Sequence, residues 1–195
     1  EGAECVMPDL MDFVYYTMAD GKFRHEELAF PKKEEKNGKL IIKLLNFYRY
    51  YINCCLKRSR RFTTSIDIWE MMKSVEGICQ IGNISGEGWF LTAEMIELIH
   101  SGAPSIACVQ PFACLPNHIT GKGMIKELRR HFPQSNISAI DYDPGASEVN
   151  QLNRVKLLLS NAPIGKNPDE MKNGKIWTKK GPVDPILQYA SGGSQ

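Results

Sequence analysis

The sequence contains no apolar run that approaches the ~18 residues that a membrane-spanning helix needs. It also lacks an excess of charge of one sign, since 24 basic and 22 acidic side chains leave a formal net charge of +2. Such a balance gives no support to binding of nucleic acid or of a membrane surface. No signal peptide is visible. We therefore expect a cytoplasmic protein that binds neither nucleic acid nor membranes.

Cysteine motifs of the usual metal and redox types are absent as well. Six cysteines are present, at positions Cys5, Cys54, Cys55, Cys79, Cys108 and Cys114. None of their spacings is the Cys-x-x-Cys of a zinc ribbon or of a thioredoxin-type site. A chain of 195 residues with 43% hydrophobic content can build a core without a disulfide framework, so we expect reduced thiols.

Two signatures of group-transfer enzymes are also missing. There is no Walker A loop for binding ATP and no G-x-S-x-G nucleophile elbow. Cys114 and His118 could in principle act as nucleophile and base, but they lie four residues apart on one predicted loop. Nothing in the sequence marks a third group that would orient the imidazole, so a cysteine hydrolase is not favoured.

The most informative stretch is Ser105–Gly123, which reads SIACVQPFACLPNHITGKG. Its apolar beginning predicts a strand of a parallel sheet that is buried on both faces. A loop with Cys114 follows, and Gly121–Gly123 is predicted to open a helix that runs to about His131. Such a loop is where open α/β sheets bind ligands, and a helix N-terminus favours an anion or a thiolate. Cys114 is therefore the best candidate for chemistry, whereas mid-strand Cys108 fits core packing better.

From Gly77 onward the pattern alternates between strands and helices. Strands are predicted at Gly77–Ile84, Ser105–Gln110 and Asn136–Asp141, with a helix after each. This order predicts an α/β fold, namely a Rossmann-like three-layer domain with a mostly parallel sheet. The strand ends would bring together three loops in one crevice: Gly86–Gly88, the Cys114 loop and Asp141–Gly145. Candidate residues for a phosphate-bearing cofactor in that crevice are Gly86, Gly88, Asn117 and Lys122.

The first 80 residues predict mainly helix. Glu4–Met7 predicts a short strand, Asp9 a helix cap, and Gly21–Asn37 a solvated connection. The strongest helix is predicted at Gly38–Arg61, with an apolar stripe at three- and four-residue spacing that should pack inward together with Cys54 and Cys55. Another helix, capped by Thr64 or Ser65, should run to about Val75.

These patterns suggest a domain over residues 1–163, with a helical segment at 38–75 inserted in it. After Asn161 glycine, proline, lysine and asparagine dominate, and residues 164–195 are predicted to form an extended or disordered tail. The basic residues Lys57, Arg58, Arg60 and Arg61 lie at the end of the strongest helix. They suggest an alternative role, in which this helix docks onto a partner subunit.

A family resemblance adds to this reading. Residues 82–159 carry dense motifs, among them GNISGEGWFLTAEMIELIHSG, IACVQPFACLPNHITGKG, ISAIDYDPGAS and NQLNRVKLLL. They resemble the C-terminal region of CoA-substrate-specific enzyme activases, a family also described as activators of 2-hydroxyglutaryl-CoA dehydratase. The beginning, GAECVMPDLMDFV, is similar to the same family more loosely.

The resemblance implies Rossmann-like subdomains similar to the subunits of 2-hydroxyacyl-CoA dehydratases and benzoyl-CoA reductases. In that family an iron–sulfur cluster is held by cysteines from separate subdomains, so Cys114, or less readily Cys108, would be one metal ligand. The phosphate-binding motifs of the family's ATPase part are absent here. We therefore expect a segment that is inactive alone, within a longer ATP-dependent redox protein of anaerobic metabolism.

The partners implied by the resemblance are the remaining domains of the same polypeptide and a dehydratase or redox subunit. Two other readings stay open beside the redox site. The chain could be a docking module that uses Gly38–Arg61, or a domain that binds the phosphate of a CoA-like molecule through the Gly86–Gly88 turn and Lys122.

Overall fold

The computed structural model describes residues 3–59, 64–162, 176–178 and 181–183. The helices are α1 (Leu10–Leu28), α2 (Lys32–Leu56), α3 (Ile68–Ser74), α4 (Trp89–His100), a π-helix (Asn117–Gly121), a 3-10 helix (Lys122–Met124), α5 (Ile125–His131) and α6 (Glu148–Ser160). The strands are β1 (Ser105–Pro111), β2 (Asn136–Tyr142), β3 (Ile176–Thr178) and β4 (Gly181–Val183). Contacts divide the chain into an N-terminal unit, Met7–Ala93, and a C-terminal unit, which comprises Glu94 onward and the first six residues.

The N-terminal unit begins with a helical hairpin of α1 and α2. The Asp9 carboxylate caps α1 by accepting the Met11 N–H at 3.0 Å, as predicted. Ala29 ends α1 in a left-handed conformation, and Pro31 stands just before α2, where a missing N–H costs nothing. The prediction of a solvated connection at Gly21–Asn37 is therefore wrong. Its polar composition concealed the end of α1 at left-handed Ala29 and the beginning of α2 after Pro31, where no side chain caps the helix.

The apolar stripe predicted to bury one face of α2 lies mostly in solvent. Helix α2 packs on α1 through Glu35, Gly38 and Ile42 instead. Large apolar side chains on its other face are 40–67% exposed, namely Leu40, Ile41, Leu44, Tyr48, Tyr51 and Ile52. Cys55 is exposed too, and Cys54 is half-buried, so the predicted packing of Cys55 is wrong. The close approach at Gly38 decides which face turns inward, since a Cβ there would lie 2.2 Å from the Met18 carbonyl oxygen.

Two strands predicted for the first 93 residues do not form. Residues 77–84 are turns that follow α3, in which the Cys79 N–H donates to the Val75 carbonyl oxygen at 2.9 Å. Residues 4–7 are irregular and exposed. A short apolar segment becomes a strand only beside another strand, and neither segment has one in the described part of the chain. Helix α3 begins one turn later than predicted, capped by the Asp67 carboxylate, which accepts the Trp69 N–H at 2.9 Å.

An aromatic cluster with a buried carboxylate forms the core of the N-terminal unit. The Tyr16 ring stacks on Phe90 at 5.3 Å and meets the edge of Trp89 at 5.2 Å between centroids. Asp20 lies on the same helix as Tyr16 and is only 5% exposed. Burial raises the pKa of Asp20 to about 6, and the nearby Arg24 cation and Trp89 indole lower it only in part. Neither Asp20 Oδ1 nor Trp89 Nε1 makes a hydrogen bond within the described residues.

Stability of this core should therefore depend on pH through Asp20. The carboxyl group binds its proton more tightly when folded, so its contribution is complete below about pH 4 and is lost as the pH rises to about 6. We expect Asp20→Asn to raise the free energy of unfolding by about 2–3 kcal/mol at pH 8 and by little at pH 4, as measured by urea denaturation. The exposed carboxylate variant Glu26→Gln should change neither value. If Asp20→Asn instead lowered the free energy of unfolding by the same amount at pH 4 and at pH 8, this assignment would be wrong.

The C-terminal unit is an α/β arrangement built on a parallel strand pair. Strands β1 and β2 pair in parallel from Ser105↔Asn136 to Pro111↔Tyr142, and α6 packs against both strands. Both strands and α6 lie close to their predicted positions. The described residues place only two strands in this sheet, fewer than the three predicted, so α/β is the description that the structure supports. Strands β3 and β4 form a separate antiparallel pair.

Within the described ranges, no helix combines the length and the apolar character that a transmembrane span requires. The predicted extended tail falls largely outside those ranges, as do Arg60 and Arg61.

Candidate functional site

The turn after β1 carries Cys114 and is held in an uncommon backbone conformation. The Cys114 N–H donates to the Pro111 carbonyl oxygen at 3.3 Å, which closes the turn. Ala113, directly before Cys114, has a φ of 52°, a left-handed conformation that few residues other than glycine adopt. Strained residues of this kind gather at functional positions, so the turn is a better candidate site than its sequence suggested.

The helical segment after this turn begins earlier than predicted. Residues 115–131 are helical without a break, and the π-helix lies inside this segment. The prediction that Gly121–Gly123 opens a helix is therefore wrong. The Lys122 N–H already donates to the carbonyl oxygens of Asn117 and His118, so it is not free to hold an anion. Cys114 stands at the true beginning, where its carbonyl oxygen accepts the His118 N–H at 3.2 Å.

Asn117 supports the Cys114 sulfur directly. Its side-chain Nδ2 donates to Cys114 Sγ at 3.0 Å, and the Asn117 side chain is buried while Cys114 is half-buried. Asn117 is the first residue of the π-helix, a rare element that often occurs at functional sites. The structure therefore places Asn117 against the candidate thiol rather than beside a separate phosphate site.

Cys108 occupies a different environment on the buried side of β1. Burial raises the pKa of its thiol, and the hydrogen bond from Gln110 Nε2 to Sγ at 3.1 Å lowers it only in part. Gly121 closes over this sulfur, since a Cβ there would lie 3.2 Å from Cys108 Sγ. Gln110 is fully buried and its Oε1 has no hydrogen-bond partner among the described residues. Gln110 was not among the predicted site residues, although a polar residue within an apolar strand is a usable signal.

Lys122 and Asp141 lie together at the carboxyl edge of the two strands. Lys122 Nζ is 3.8 Å from Asp141 Oδ1, and both side chains are about half exposed. Beside them is an open groove of about 660 Å³ between the end of β2 and the first turns of α6. Its polar lining includes Asp141, Asp143, Ser147, Asn150, Gln151 and Arg154. Two carboxylates in this groove make it a poor site for phosphate.

Backbone N–H groups at the Gly86–Gly88 turn donate to carbonyl oxygens of the same segment. The Gly88 N–H donates to the Ser85 carbonyl oxygen at 3.2 Å, and the Trp89 N–H to that of Asn83 at 2.7 Å. Gly86 and Gly88 have φ values of 61° and 48°, as the predicted tight turn requires. Phosphate binding by this turn stays a prediction, and nothing in its geometry adds support. The turn belongs to the N-terminal unit, whereas the other two candidate loops belong to the C-terminal unit.

In the described ranges, no group of three or more His, Cys, Asp or Glu side chains is placed to hold a metal ion. His118 turns its Nδ1 to the Cys114 carbonyl oxygen, at 2.8 Å, so this ring nitrogen is engaged with backbone and not with the thiol. A cysteine hydrolase with these two residues is not supported. The chemically distinctive feature is the Cys114 sulfur, which accepts a hydrogen bond from a buried side-chain amide.

Comparison of the chain with family models, with curated proteins and with solved structures finds no match.

Proposed function

We propose that this chain is the dehydratase-like part of a CoA-substrate enzyme activase, in which Cys114 is one thiolate ligand of an iron–sulfur cluster. The observation that carries the proposal is the hydrogen bond from Asn117 Nδ2 to Cys114 Sγ at the start of a helical segment. Donors to sulfur and their surroundings set the properties of cluster thiolates. The Rossmann-like three-layer sheet implied by the resemblance belongs to the same proposal, as do the cytoplasmic location and a dehydratase or redox partner.

The residues present fit one corner of a cluster site. Cys114 is half-buried and lies in the turn that follows β1. Cys108 is the weaker candidate because burial keeps its thiol protonated and Gly121 covers its sulfur. A cluster needs several thiolates, so the others would come from other parts of a larger assembly. When bound, such a cluster supplies one-electron transfer, and this chain would hold one iron and form one wall of the site.

The test is anaerobic reconstitution of the full chain with ferrous iron and sulfide, with a small exogenous thiol to supply the remaining ligands. Iron content and visible sulfur-to-iron absorbance are measured for wild type, Cys114→Ala and Cys108→Ala. We expect Cys114→Ala to lose about tenfold or more of the bound iron, because removing a cluster ligand typically weakens the site far more than removing a neighbour. Cys108→Ala should retain it.

Two further variants make the result specific. Cys55→Ala removes an exposed cysteine from the other unit and should keep the iron. Asn117→Ala keeps the thiol but removes its donor, so it should retain iron while shifting the reduction potential of the bound cluster. Full retention of iron by Cys114→Ala would refute the proposal.

A docking module is the second candidate, and the exposed apolar face of α2 favours it. Lysines stand beside this face at Lys36, Lys39 and Lys43, and Lys57 and Arg58 follow the helix. A partner helix with an apolar stripe and acidic residues beside it would match both features. If both cysteine variants keep their iron, this reading becomes the better account of the chain.

A further inference from the structure

The direction of the hydrogen bonds in the β1–β2 pair identifies its two outer edges. The Asn136 N–H donates to the Pro104 carbonyl oxygen at 2.8 Å, in a register that pairs Ser105 with Asn136. Along a strand, successive residues direct their backbone groups to opposite sides. Even-numbered residues of both strands therefore bond within the pair, and odd-numbered residues direct their N–H and C=O groups outward.

The outer edge of β2 is closed by side chains. Three outward carbonyl oxygens accept side-chain donors: Ile137 from Arg129 Nη2 at 2.5 Å, Ala139 from Arg154 Nη1 at 2.7 Å, and Asp141 from Gln151 Nε2 at 3.0 Å. These donors belong to α5 and α6, so the helices that pack beside the sheet also cover this edge. Covered acceptors cannot pair with another strand, and β2 is therefore the end of the sheet.

The outer edge of β1 has no such protection. Within the described residues, no hydrogen bond reaches the backbone of Ala107, and the Val109 carbonyl oxygen has only a long 3.4 Å contact from Gln110 Nε2. Both residues are exposed, Val109 by 46%. Proteins usually guard a free edge with charges, proline or a bulge, but β1 has no charged residue and its proline stands at the end.

An apolar surface continues from this edge past the carboxyl end of β1. Phe112, Leu115 and Ile119 are each at least half exposed. No charged residue occurs from Ser105 to Asn117. An uncharged strand edge beside exposed apolar side chains combines main-chain hydrogen bonding with burial of apolar area, as in recognition by strand addition.

We propose that the open edge of β1 binds one further strand, supplied by a partner polypeptide, in parallel with β1. The absence of charge along β1 favours an uncharged strand of β-branched residues, because a charged side chain would lose solvation opposite apolar neighbours. A parallel strand continues the existing ladder, and sheets of uniform direction are over-represented. A second copy of this chain would pair β1 with β1 around a twofold axis and therefore antiparallel, so orientation separates the two occupants.

This proposal does not depend on the iron–sulfur cluster. A parallel strand would, however, end at the same edge of the sheet as the Cys114 turn. The loop that follows the added strand would then lie beside Cys114.

The probe is a synthetic peptide with the uncharged pairing segment Thr-Val-Ile-Val-Thr, solubilised by lysines beyond glycine spacers, added to the full, isotopically labelled chain. Amide hydrogen exchange of Ala107 and Val109 should slow by about tenfold or more at saturating peptide. Amides of Ile106 and Cys108 should be protected already without it. A spin label at the carboxyl end of the peptide should broaden the signals of Phe112 and not those of Ser105, which reports the parallel direction.

Ala107→Pro removes an outward N–H without touching the bonds to β2, and it should abolish the protection of Val109 by the peptide. The double variant Ala107→Lys with Val109→Lys is the alternative if the proline variant does not fold, and it should have the same effect. Val149→Lys, an exposed apolar position on α6, should leave peptide binding intact. Unchanged exchange at saturation, an antiparallel broadening pattern, or protection that grows with protein concentration alone would each overturn the proposal.

Discussion

Replacing Arg49 by alanine is expected to lower the free energy of unfolding of the N-terminal unit by about 3–5 kcal/mol, because it leaves a buried carboxylate without its partner. Arg49 Nη2 donates to Asp9 Oδ2 at 2.7 Å and also pairs with Asp12. Its guanidinium lies over the Tyr15 ring at 4.6 Å from the centroid. One α2 side chain thus joins two residues of α1 and its cap Asp9, and Asp12 is only 2% exposed.

The pH dependence of this loss has a defined sign. Burial raises the pKa of Asp12 even beside Arg49, so removing the cation raises it further. The carboxyl group of the variant can then take up a proton in mildly acidic solution, and the destabilisation should shrink as the pH falls toward 4. Hydrogen exchange of α1 and α2 amides, compared with those of β1 and β2, measures the effect on the N-terminal unit alone.

Two controls separate a buried pair from an exposed one. Arg130→Ala removes the pair with Glu127 on α5, in which the arginine is 71% exposed, and should cost at most about 1 kcal/mol. The double variant Arg49→Met with Asp12→Leu removes both charges and should recover most of the loss. A loss below about 1 kcal/mol for Arg49→Ala would show that Asp12 is solvated in solution.

Gly88→Ala should destabilise the N-terminal unit by about 2–5 kcal/mol, the sum of about 1–2 for a left-handed backbone and about 1–3 for overpacking. A Cβ at this position would lie 1.9 Å from the Asn83 carbonyl oxygen and 2.6 Å from Tyr16 Oη. The clash is mainly with backbone, so a change of side-chain rotamer cannot relieve it. The melting temperature and urea midpoint of the variant measure the loss.

Gly77→Ala is the matched control, because Gly77 has a φ of 77° but no atom within 4 Å of its Cβ position. It should show the backbone cost alone, about 1–2 kcal/mol. A similar loss in both variants would mean that the turn at Gly88 moves to admit the methyl group. If Gly88→Ala folds normally and instead loses affinity for a phosphate compound, the cofactor role predicted from the sequence would regain support.

In the C-terminal unit, local sequence patterns were sufficient to predict the two parallel strands. Ser105–Gln110 and Asn136–Asp141 are short apolar runs between prolines, glycines and polar turns, and both are strands within one residue of the predicted ends. The details at Cys114 could not be predicted in this way. The π-helix that turns Asn117 toward the sulfur and the left-handed Ala113 have no sequence signature, since both arise from fitting the helix onto the strand pair.

The N-terminal unit shows where periodicity misleads. The apolar repeat of α2 is real, but the face that packs on α1 is chosen by Gly38, where the backbones approach, and by Arg49, which pairs with the buried Asp12 carboxylate. Apolar residues alone do not decide burial, because a close backbone approach and a charge left unpaired in the core each outweigh several partly exposed side chains.

The amino-acid sequence by itself determined the helical first half, the two parallel strands with their helices, and Cys114 as the thiol most worth testing. These features depend on local periodicity, caps and turn residues, which act over a few neighbouring positions. Only the tertiary structure decided that Asn117 supports Cys114, that Gly121 covers Cys108, and that side chains close the outer edge of β2 but, among the described residues, not that of β1. Each depends on atoms brought together from separate segments, and local pattern carries no information on such contacts.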